Sequence, residues 1–280
     1  MRNENVILSP VVKWVGGKRQ LLNYITPLLP KNFSTYVEPF VGGGAVLFNI
    51  QPKKAIINDY NAELINVYNV IKNNPDELIS LLQEHEKLNS QEYFYQIRSL
   101  DRSDTYYSMS SIDKAARIIY LNKTCFNGLF RVNQAGQFNS PYGKYKNPNI
   151  VNRPLVLAMS KYFNNNDIRI MSGDYKEALK NLRRGAFVYF DPPYMPISSS
   201  SSFTGYTENG FGKQQQIELK EECDKLNGRG IKFLLSNSDH PLIRELYKDY
   251  EIIVVKAKRS INSKGNKRGE INEVLIRNYD

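Results

Sequence analysis

An unbroken apolar run that ends in a carboxylate and two prolines constrains this chain more than any other feature. Ala186–Phe190 contains no polar position apart from a tyrosine hydroxyl, and Asp191, Pro192, Pro193 and Tyr194 follow at once. Such a run is typical of a strand buried on both faces of a parallel sheet. Proline donates no N–H and fixes its own backbone, so the strand must end there. The sequence therefore predicts a carboxylate, a rigid backbone and an aromatic ring at the carboxyl end of a buried strand.

The chemistry at this strand end has two interpretations. Open α/β sheets bind ligands at the carboxyl edge, and an exocyclic amine needs acceptors for two N–H groups and a flat surface for its ring. The alternative is a stiff turn in which Tyr194 is a half-buried anchor and Asp191 only caps the backbone. The remainder of the chain favours the first interpretation.

Further strand-like runs alternate with helical patterns along the chain. The runs lie at 36–41, 54–58, 168–171, 231–235, 251–256 and 272–279, and the clearest of the alternating helices at 20–29 and 214–226. This alternation predicts an α/β fold with a doubly wound, mostly parallel sheet. The last pair of runs would add an antiparallel C-terminal edge strand.

The pattern changes between residues 62 and 166, where helical periodicity replaces the alternation. Three helices are expected there, and residues 126–139 then alternate around a turn at 134–136, which is typical of a hairpin. A helical insertion that ends in an aromatic, arginine-bearing hairpin would suit a substrate-reading module. We therefore predict a catalytic domain made of residues 1–61 and 167–280, and a target-recognition domain at 62–166.

Composition narrows the class of partner. The 280 residues carry a net charge of +10, and the run 256–268 holds six basic residues and no acidic one, which favours a polyanionic partner. Two cysteines and two histidines indicate neither a disulfide framework nor a metal site. No apolar run is long enough to span a bilayer, and no signal peptide is present, so we expect a cytoplasmic protein without membrane attachment.

A glycine triplet and a second carboxylate indicate a nucleoside-bearing cofactor. Gly42, Gly43 and Gly44 follow a strand and precede a helix, where glycine lets the backbone approach a ligand. The triplet lacks the lysine-serine ending of a P-loop and the spacing of the dinucleotide fingerprint. Asp59 ends the next strand, where such folds bind ribose hydroxyls. Lys18 lies after a glycine pair and could reach a cofactor carboxylate or only begin a helix.

Four segments, taken in order, resemble one family. They are Lys13–Lys18, Glu38–Ala45, the hairpin segment Asn127–Arg131 and Asp191–Tyr194. Together they resemble the Dam-type DNA adenine-N6 methyltransferases, and the resemblance extends over nearly the whole chain. It implies the S-adenosylmethionine-dependent methyltransferase fold, with S-adenosyl-L-methionine as cofactor and double-stranded DNA as partner.

The resemblance also implies roles for individual residues. Asp191 and the Pro192 carbonyl would accept the two N6–H bonds of an adenine flipped out of the duplex, and Tyr194 would stack on its ring. We expect Asp191 to orient the amine rather than to act as a strong base. The cofactor would contact Trp14, Lys18, Glu38, Phe40, Gly42, Gly43, Gly44, Asp59, Asp174 and Asp191.

Recognition of the DNA sequence is assigned to residues of the hairpin and the segments next to it. Arg131 suits a bidentate contact with guanine N7 and O6, and Leu129 suits the thymine methyl. The resemblance implies that Asn127 enters the gap beside the flipped base and that Lys13 contacts an outer guanine. It also assigns base-pair discrimination to Pro141 and a phosphate contact to Lys144. The expected target is GATC, read by a monomer or a weak dimer on DNA.

Alternatives with the same fold stay open from the residues alone. Cytosine N4, an RNA adenine or a protein glutamine could be the methylated amine, although Asp191 differs from the asparagine or serine that many of those families use. A silent DNA-binding module would not need Asp191, Tyr194, the glycine triplet and Asp59 together. A nucleotide-binding dehydrogenase lacks support because the glycine spacing is wrong. The biological role (restriction–modification, mismatch repair or a bacteriophage function) is equally open.

Overall fold

The computed structural model describes residues 7–196, 211–258 and 270–280. The chain divides into two compact units, the first bounded as Met1–Gly17, Gly42–Gln51 and Asn61–Ile170, and the second as Lys18–Val41, Pro52–Tyr60 and Met171–Asp280. Most of the basic run 256–268 lies outside the described residues. The first unit contains the expected insertion at 62–166 together with two earlier segments. Its assignment to target recognition stays a prediction.

Within the described residues, seven strands form one sheet, in the order β3-β2-β1-β4-β5-β7-β6. The strands are β1 (Thr35–Glu38), β2 (Lys54–Asp59), β3 (Asp167–Ser172), β4 (Ala186–Phe190), β5 (Lys232–Ser238), β6 (Glu251–Lys258) and β7 (Glu270–Arg277). The pairs β1–β2, β1–β4 and β4–β5 are parallel, whereas β7 is antiparallel to both β5 and β6. The mostly parallel α/β fold and the antiparallel C-terminal strand are therefore confirmed. That strand lies one place inside the sheet, and β6 forms the edge.

The apolar run at 186–190 forms β4, and every one of its side chains is buried. β1 and β5 pair with the two edges of β4, and because its side chains are buried on both faces the strand does not alternate in polarity. Val188 and Phe190 belong to a core that also contains Val37, Leu219 and Phe233. The centre of the sheet thus fixes where Asp191 emerges.

β1 ends earlier than the alternation suggests. The strand stops at Glu38 rather than continuing to Val41, because Pro39 follows and cannot donate to the ladder. The Val41 N–H instead donates to the Asn58 carbonyl at 2.9 Å. β5, in contrast, continues past Leu235 to Ser238 through three buried polar residues.

Helices make up most of the first unit, and further helices belong to the second. The helices are α1 (Leu22–Leu28), α2 (Ala45–Ile50), α3 (Ala62–Asn73), α4 (Pro75–Leu88), α5 (Gln91–Ser99), α6 (Thr105–Ser108), α7 (Ser111–Thr124), α8 (Arg153–Asn165), α9 (Tyr175–Leu179), α10 (Lys213–Gly228) and α11 (Pro241–Leu246). Within the first unit, α3 packs against α7 and α8. Asn61 and Ser110 cap α3 and α7 by accepting backbone N–H groups. Within the described residues, no helix combines the length and apolar character needed to cross a bilayer.

Candidate active site

Asp191 lies directly after β4, at the carboxyl edge of the sheet in the second unit. The segment that follows has no regular secondary structure, yet side chains from two other elements hold it. Gln216 of α10 donates to the Pro193 carbonyl at 2.9 Å, and Asn237 of β5 accepts from the Met195 N–H at 3.2 Å. Gln216 and Asn237 are themselves hydrogen bonded at 3.0 Å. The Asp-Pro-Pro-Tyr segment is therefore a supported turn rather than a free loop.

Asp191 forms a buried ion pair with Lys18. The Lys18 Nζ atom lies 2.7 Å from Asp191 Oδ1, and the two side chains are only 6% and 18% exposed. Burial raises the pKa of the Asp191 carboxyl to about 6, although the Lys18 ammonium opposes this and the Glu273 and Asp59 carboxylates add to it. A carboxylate with this pKa is mostly ionised at neutral pH and accepts hydrogen bonds well, but it is a weak base. The structure brings Lys18 to the Asp191 carboxylate.

Tyr194 lies beside this pair. The Lys18 Nζ atom is 4.6 Å from the centroid of the Tyr194 ring, which is within cation–π range. The Tyr194 hydroxyl donates to Glu273 Oε2 at 2.8 Å. Burial and the neighbouring Asp191 and Glu273 carboxylates raise the pKa of Tyr194, so the ring remains a neutral phenol. Lys18, Asp191 and Tyr194, expected from the sequence, thus form one cluster with Glu273.

Two of the expected cofactor residues lie where β1 ends. Glu38 is buried and accepts a hydrogen bond from the Tyr36 hydroxyl at 2.8 Å. Phe40 stacks on Tyr175, with ring centroids 4.9 Å apart, and meets Phe211 edge-on at 5.7 Å. These contacts place the half-buried Phe40 ring in an apolar aromatic platform, two positions after Glu38 in the chain.

The end of β2 offers hydrogen-bond acceptors at the same edge. The Asn58 amide donates to the Pro39 and Gly173 carbonyls at 3.0 and 2.9 Å. Its Oδ1 atom is buried and has no hydrogen-bond partner in the described part of the chain. Asp59 follows, and Asp174 accepts from the Lys176 N–H at 2.8 Å, which caps α9. An unpaired buried acceptor costs about 1–3 kcal/mol, so a ligand that donates here would be stabilised.

The glycine triplet and Trp14 contact each other in the first unit. Gly42 and Gly44 have φ of +48° and +72°, and a Cβ at Gly44 would lie 2.7 Å from the Phe48 ring. A Cβ at Gly42 would lie 3.2 Å from Trp14 Cδ1. Gly42 and Gly44 therefore require glycine for their backbone, whereas a Cβ at Gly43 would lie at an ordinary contact distance of 3.4 Å from Trp14 Cβ. α2 begins directly after the triplet.

Lys13 and the start of the hairpin segment are joined by a buried side chain. The Asn122 Oδ1 atom accepts the Lys13 N–H at 2.8 Å, and its amide donates to the Lys13 and Gly128 carbonyls at 2.8 and 3.1 Å. The Lys13 ammonium donates to the Asn127 carbonyl at 3.1 Å. Asn127 has a left-handed φ of +59° and an exposed side chain. Two residues assigned to DNA contact are thus fixed side by side.

The hairpin itself is small. An antiparallel bridge between Val132 and Phe138 closes it around the expected turn. Arg131 is exposed, and its guanidinium donates to the Asn139 side chain at 2.6 Å and to the Asn139 carbonyl at 3.2 Å. These bonds hold the arginine extended along the hairpin.

Leu129, Pro141 and Lys144 lie on the segments around the hairpin. Leu129 is half-buried, whereas Pro141 and Lys144 are exposed. The Pro141 carbonyl accepts the Phe126 N–H at 2.8 Å, and Lys144 has a positive φ of +52°.

Several residues of these clusters carry no signal of their own in the sequence. Phe126 and Tyr145 are 55% and 41% exposed, which is unusual for large aromatic side chains next to candidate DNA contacts. Asn122 lies within a helical pattern, where an asparagine suggests a surface position. Glu273 is a glutamate in a strand-like run, and only the position of β7 in the sheet gives it a partner.

Asn122→Ala tests the hydrogen bonds by which the buried Asn122 side chain joins Lys13 to Gly128. The substitution removes the partner of two part-buried Lys13 backbone groups and of the buried Gly128 carbonyl, so we expect a loss of about 3 kcal/mol in the free energy of unfolding. Urea unfolding followed by circular dichroism measures the loss. Exposed Asn73, substituted in the same way, is the matched control and should change stability by less than about 0.5 kcal/mol. Equal effects at the two positions would contradict the role of Asn122.

The sequence has clear relatives. It matches the family described as D12 class N6 adenine-specific DNA methyltransferase over residues 14–261. It is 48% identical over 279 residues to the Type II methyltransferase M1.LlaDCHI of Lactococcus lactis subsp. cremoris, an alignment that covers 100% of this chain and 98% of that protein. Identity to the Type II methyltransferase M.MjaIII of Methanocaldococcus jannaschii is 43% over 290 residues, covering 97% and 99%.

A more distant similarity is to the DNA adenine methylase of Escherichia coli, at 36% identity over 266 residues, which covers 94% and 93% of the two chains. The family match covers the segments that hold Lys18, the glycine triplet, the hairpin and Asp191. The expected resemblance is therefore confirmed, and this chain belongs to the D12 class of N6 adenine-specific DNA methyltransferases.

Proposed function

We propose that the enzyme transfers the methyl group of S-adenosyl-L-methionine to N6 of an adenine that is flipped out of a GATC site in double-stranded DNA. The observation that carries the proposal is the buried cluster after β4, in which the Asp191 carboxylate is paired with Lys18 and lies beside the Tyr194 ring. An amine acceptor and a stacking surface at one strand end are what an everted adenine requires.

The residues near the ends of β1 and β2 suit this cofactor. The Phe40 platform offers a flat apolar surface, and the buried Asn58 Oδ1 and the half-buried Asp59 offer acceptors for hydroxyl or amino donors. When bound, S-adenosyl-L-methionine supplies an activated methyl group on a sulfonium. The family resemblance assigns its binding to Trp14, Lys18, Glu38, Phe40, Gly42, Gly43, Gly44, Asp59, Asp174 and Asp191.

The amine is oriented by acceptors on the turn after β4. Asp191 accepts one N6–H and the Pro192 carbonyl accepts the other, which directs the nitrogen lone pair away from the ring. Because the Asp191 pKa is about 6, the carboxylate is present at neutral pH to do this. Positioning of this kind supplies most of what a pre-activated methyl donor needs.

Tyr194 holds the ring of the everted base. Extrusion costs a few kcal/mol of stacking and pairing, and base–aromatic stacking returns about 1–3 kcal/mol. The Lys18 ammonium and the Glu273 carboxylate restrict the Tyr194 ring before the base arrives. A pre-ordered ring loses less entropy on binding.

Sequence reading is proposed for the hairpin segment of the first unit. Arg131 reads a guanine, Leu129 contacts a thymine methyl, and Asn127 fills the gap that the flipped base leaves. Lys13 contacts an outer guanine, Pro141 discriminates base pairs and Lys144 binds phosphate. The exposed Phe126 ring beside Asn127 offers a further stacking surface. The GATC target rests on the Dam-type resemblance of this segment.

Arg131→Ala tests base reading directly. Loss of a bidentate contact should lower discrimination at one guanine by about 1–3 kcal/mol. This discrimination is measured from initial rates on duplexes that carry guanine or 7-deazaguanine at each guanine of the target. The wild type should be slower with 7-deazaguanine at one position. The Arg131→Ala variant should show no difference between the two bases there. Lys144→Ala is the control, with weaker binding to every duplex alike. Equal losses on all sequences in Arg131→Ala would mark a phosphate contact instead.

Transfer of radiolabel from S-adenosyl-L-methionine to short duplexes tests the function as a whole. Label on the adenine of GATC, and little on a duplex with a permuted site, supports the proposal. Label on cytosine or RNA would contradict it in favour of another amine. Firm duplex binding without label would favour a silent module.

We infer a restriction–modification role, because two relatives are named Type II methyltransferases. The enzyme would then work in the cytoplasm, where a bacterial chromosome is accessible, as a monomer or weak dimer on DNA. Growth of a host that carries a cognate endonuclease, with and without this gene, tests that role.

A further inference from the structure

Glu273 belongs to the active-site cluster but lies on β7, outside the four sequence segments that carry the family resemblance. It lies on β7, opposite Ser238 of β5 and Val255 of β6. Because β7 runs antiparallel to β5, this position of β7 falls at the edge where the parallel strands end. The half-buried Glu273 carboxylate accepts a hydrogen bond from the Tyr194 hydroxyl at 2.8 Å.

The Tyr194 ring needs such an anchor. Gln216 and Asn237 hold the backbone on either side of Tyr194, but these two bonds do not reach the ring itself. β7 pairs with strands on both sides and offers a rigid support. A hydrogen bond to an ionised acceptor is about twice as strong as one between neutral groups. The hydroxyl end of the ring is therefore held by Glu273, and the Lys18 ammonium lies 4.6 Å from its centroid.

We propose that Glu273 is a positioning residue for methyl transfer, which fixes the Tyr194 ring in the orientation that receives the target base. The proposal rests on the proposed function, in which Tyr194 stacks on that base. It explains why the aromatic residue is a tyrosine, since phenylalanine would offer the same ring without a hydrogen bond to β7.

Glu273 also acts on Asp191 through its charge. The charged groups that face Asp191 are the Lys18 ammonium, which lowers its pKa, and the Glu273 and Asp59 carboxylates, which raise it. Neutral Tyr194 and Tyr189 complete the surroundings. Removal of the Glu273 charge should therefore lower the Asp191 pKa, and the acid limb of the rate profile should move to lower pH. A residue that only supports the fold would not move this limb.

A double-mutant cycle with the whole enzyme tests the proposal. Glu273→Ala and Tyr194→Phe should each lower the single-turnover rate at saturating substrates about tenfold, and the double variant should be no slower than either one. The fluorescence of 2-aminopurine at the target position should fall in both, because the flipped base is held less well. Glu273→Gln keeps an acceptor, so it should retain the rate within about threefold while the acid limb shifts downward.

The controls separate this proposal from the function it rests on. Glu245→Gln changes an exposed glutamate of α11 and should leave rate and pH profile unchanged. A slow Tyr194→Ala variant beside a fully active Glu273→Ala variant would overturn the role of Glu273 and leave the stacking role intact. A fully active Tyr194→Ala variant would overturn both. If Glu273→Ala fails to fold, Glu273→Met, which keeps the length without the acceptor, takes its place in the cycle.

Discussion

Asp191→Ala is expected to abolish methyl transfer while the protein still folds and binds duplex DNA. In the proposed function the carboxylate at the end of β4 is the acceptor that orients the amine, and the substitution replaces this side chain, which is only 18% exposed, by a methyl group. Removal of one pre-organised charged or polar group at a reacting centre typically costs 10²–10³ in rate. Here the same residue also lies against Lys18 and Tyr194, so we expect a loss of about 10³-fold or more in the single-turnover rate.

Two comparisons make the Asp191 result interpretable. Asp191→Asn keeps the volume and one oxygen acceptor but removes the charge, so it should retain more activity than Asp191→Ala. Asp249 is an exposed aspartate after α11, and Asp249→Ala should behave as wild type. Duplex affinity from fluorescence anisotropy should change less than about threefold in all of them. A near wild-type rate in Asp191→Ala would rule out the role assigned to this carboxylate.

The sheet was largely predictable because its strands are short apolar runs. β4 is apolar throughout and lies at 186–190 as the sequence indicates. The end of β5 was not predictable, since Ser236, Asn237 and Ser238 look like a loop. They are buried because each has a partner far along the chain, such as the Tyr189 hydroxyl 2.6 Å from Ser236 Oγ. Local sequence patterns do not reveal hydrogen bonds to partners so far along the chain.

The sequence indicated Lys18, Asp191 and Tyr194, which the structure brings together, but it did not indicate how they pair. Lys18 and Asp191 are 173 positions apart in the sequence, and nothing in either segment indicates a 2.7 Å contact. Glu273 required the strand order, because β7 inserts between β5 and β6. Asn122 lies in the expected helix, but only its hydrogen bonds to Lys13 and Gly128 explain why an asparagine is buried there. The sequence motifs therefore identified the candidate reactive residues, whereas the residues that position them, such as Glu273, were found only from the strand order.

Lys18→Met should shift the pH dependence of the reaction and lower its rate at neutral pH. In the wild type, protonation of Asp191 removes the negative charge that makes it a strong acceptor, so the rate should fall as the pH drops through about 6. Lys18 lowers the Asp191 pKa, and its removal leaves burial and the Glu273 and Asp59 carboxylates, all of which raise it. The acid limb must then move to higher pH, and at pH 7 a larger share of the enzyme carries a protonated Asp191.

Loss of one partner of a buried ion pair is commonly severe, at about 3–5 kcal/mol, unless the remaining group neutralises itself. Asp191 can do so by taking up a proton, so we expect Lys18→Met to fold but to transfer methyl groups about 10²-fold more slowly at pH 7. Raising the pH should recover part of that loss, because it restores the carboxylate. Single-turnover rates between pH 5 and 9 measure both effects, with Lys248→Met, an exposed lysine of the same unit, as the control. An unmoved acid limb would show that Lys18 does not set the protonation of Asp191, and a rate loss that is equal at every pH would assign Lys18 to cofactor binding alone.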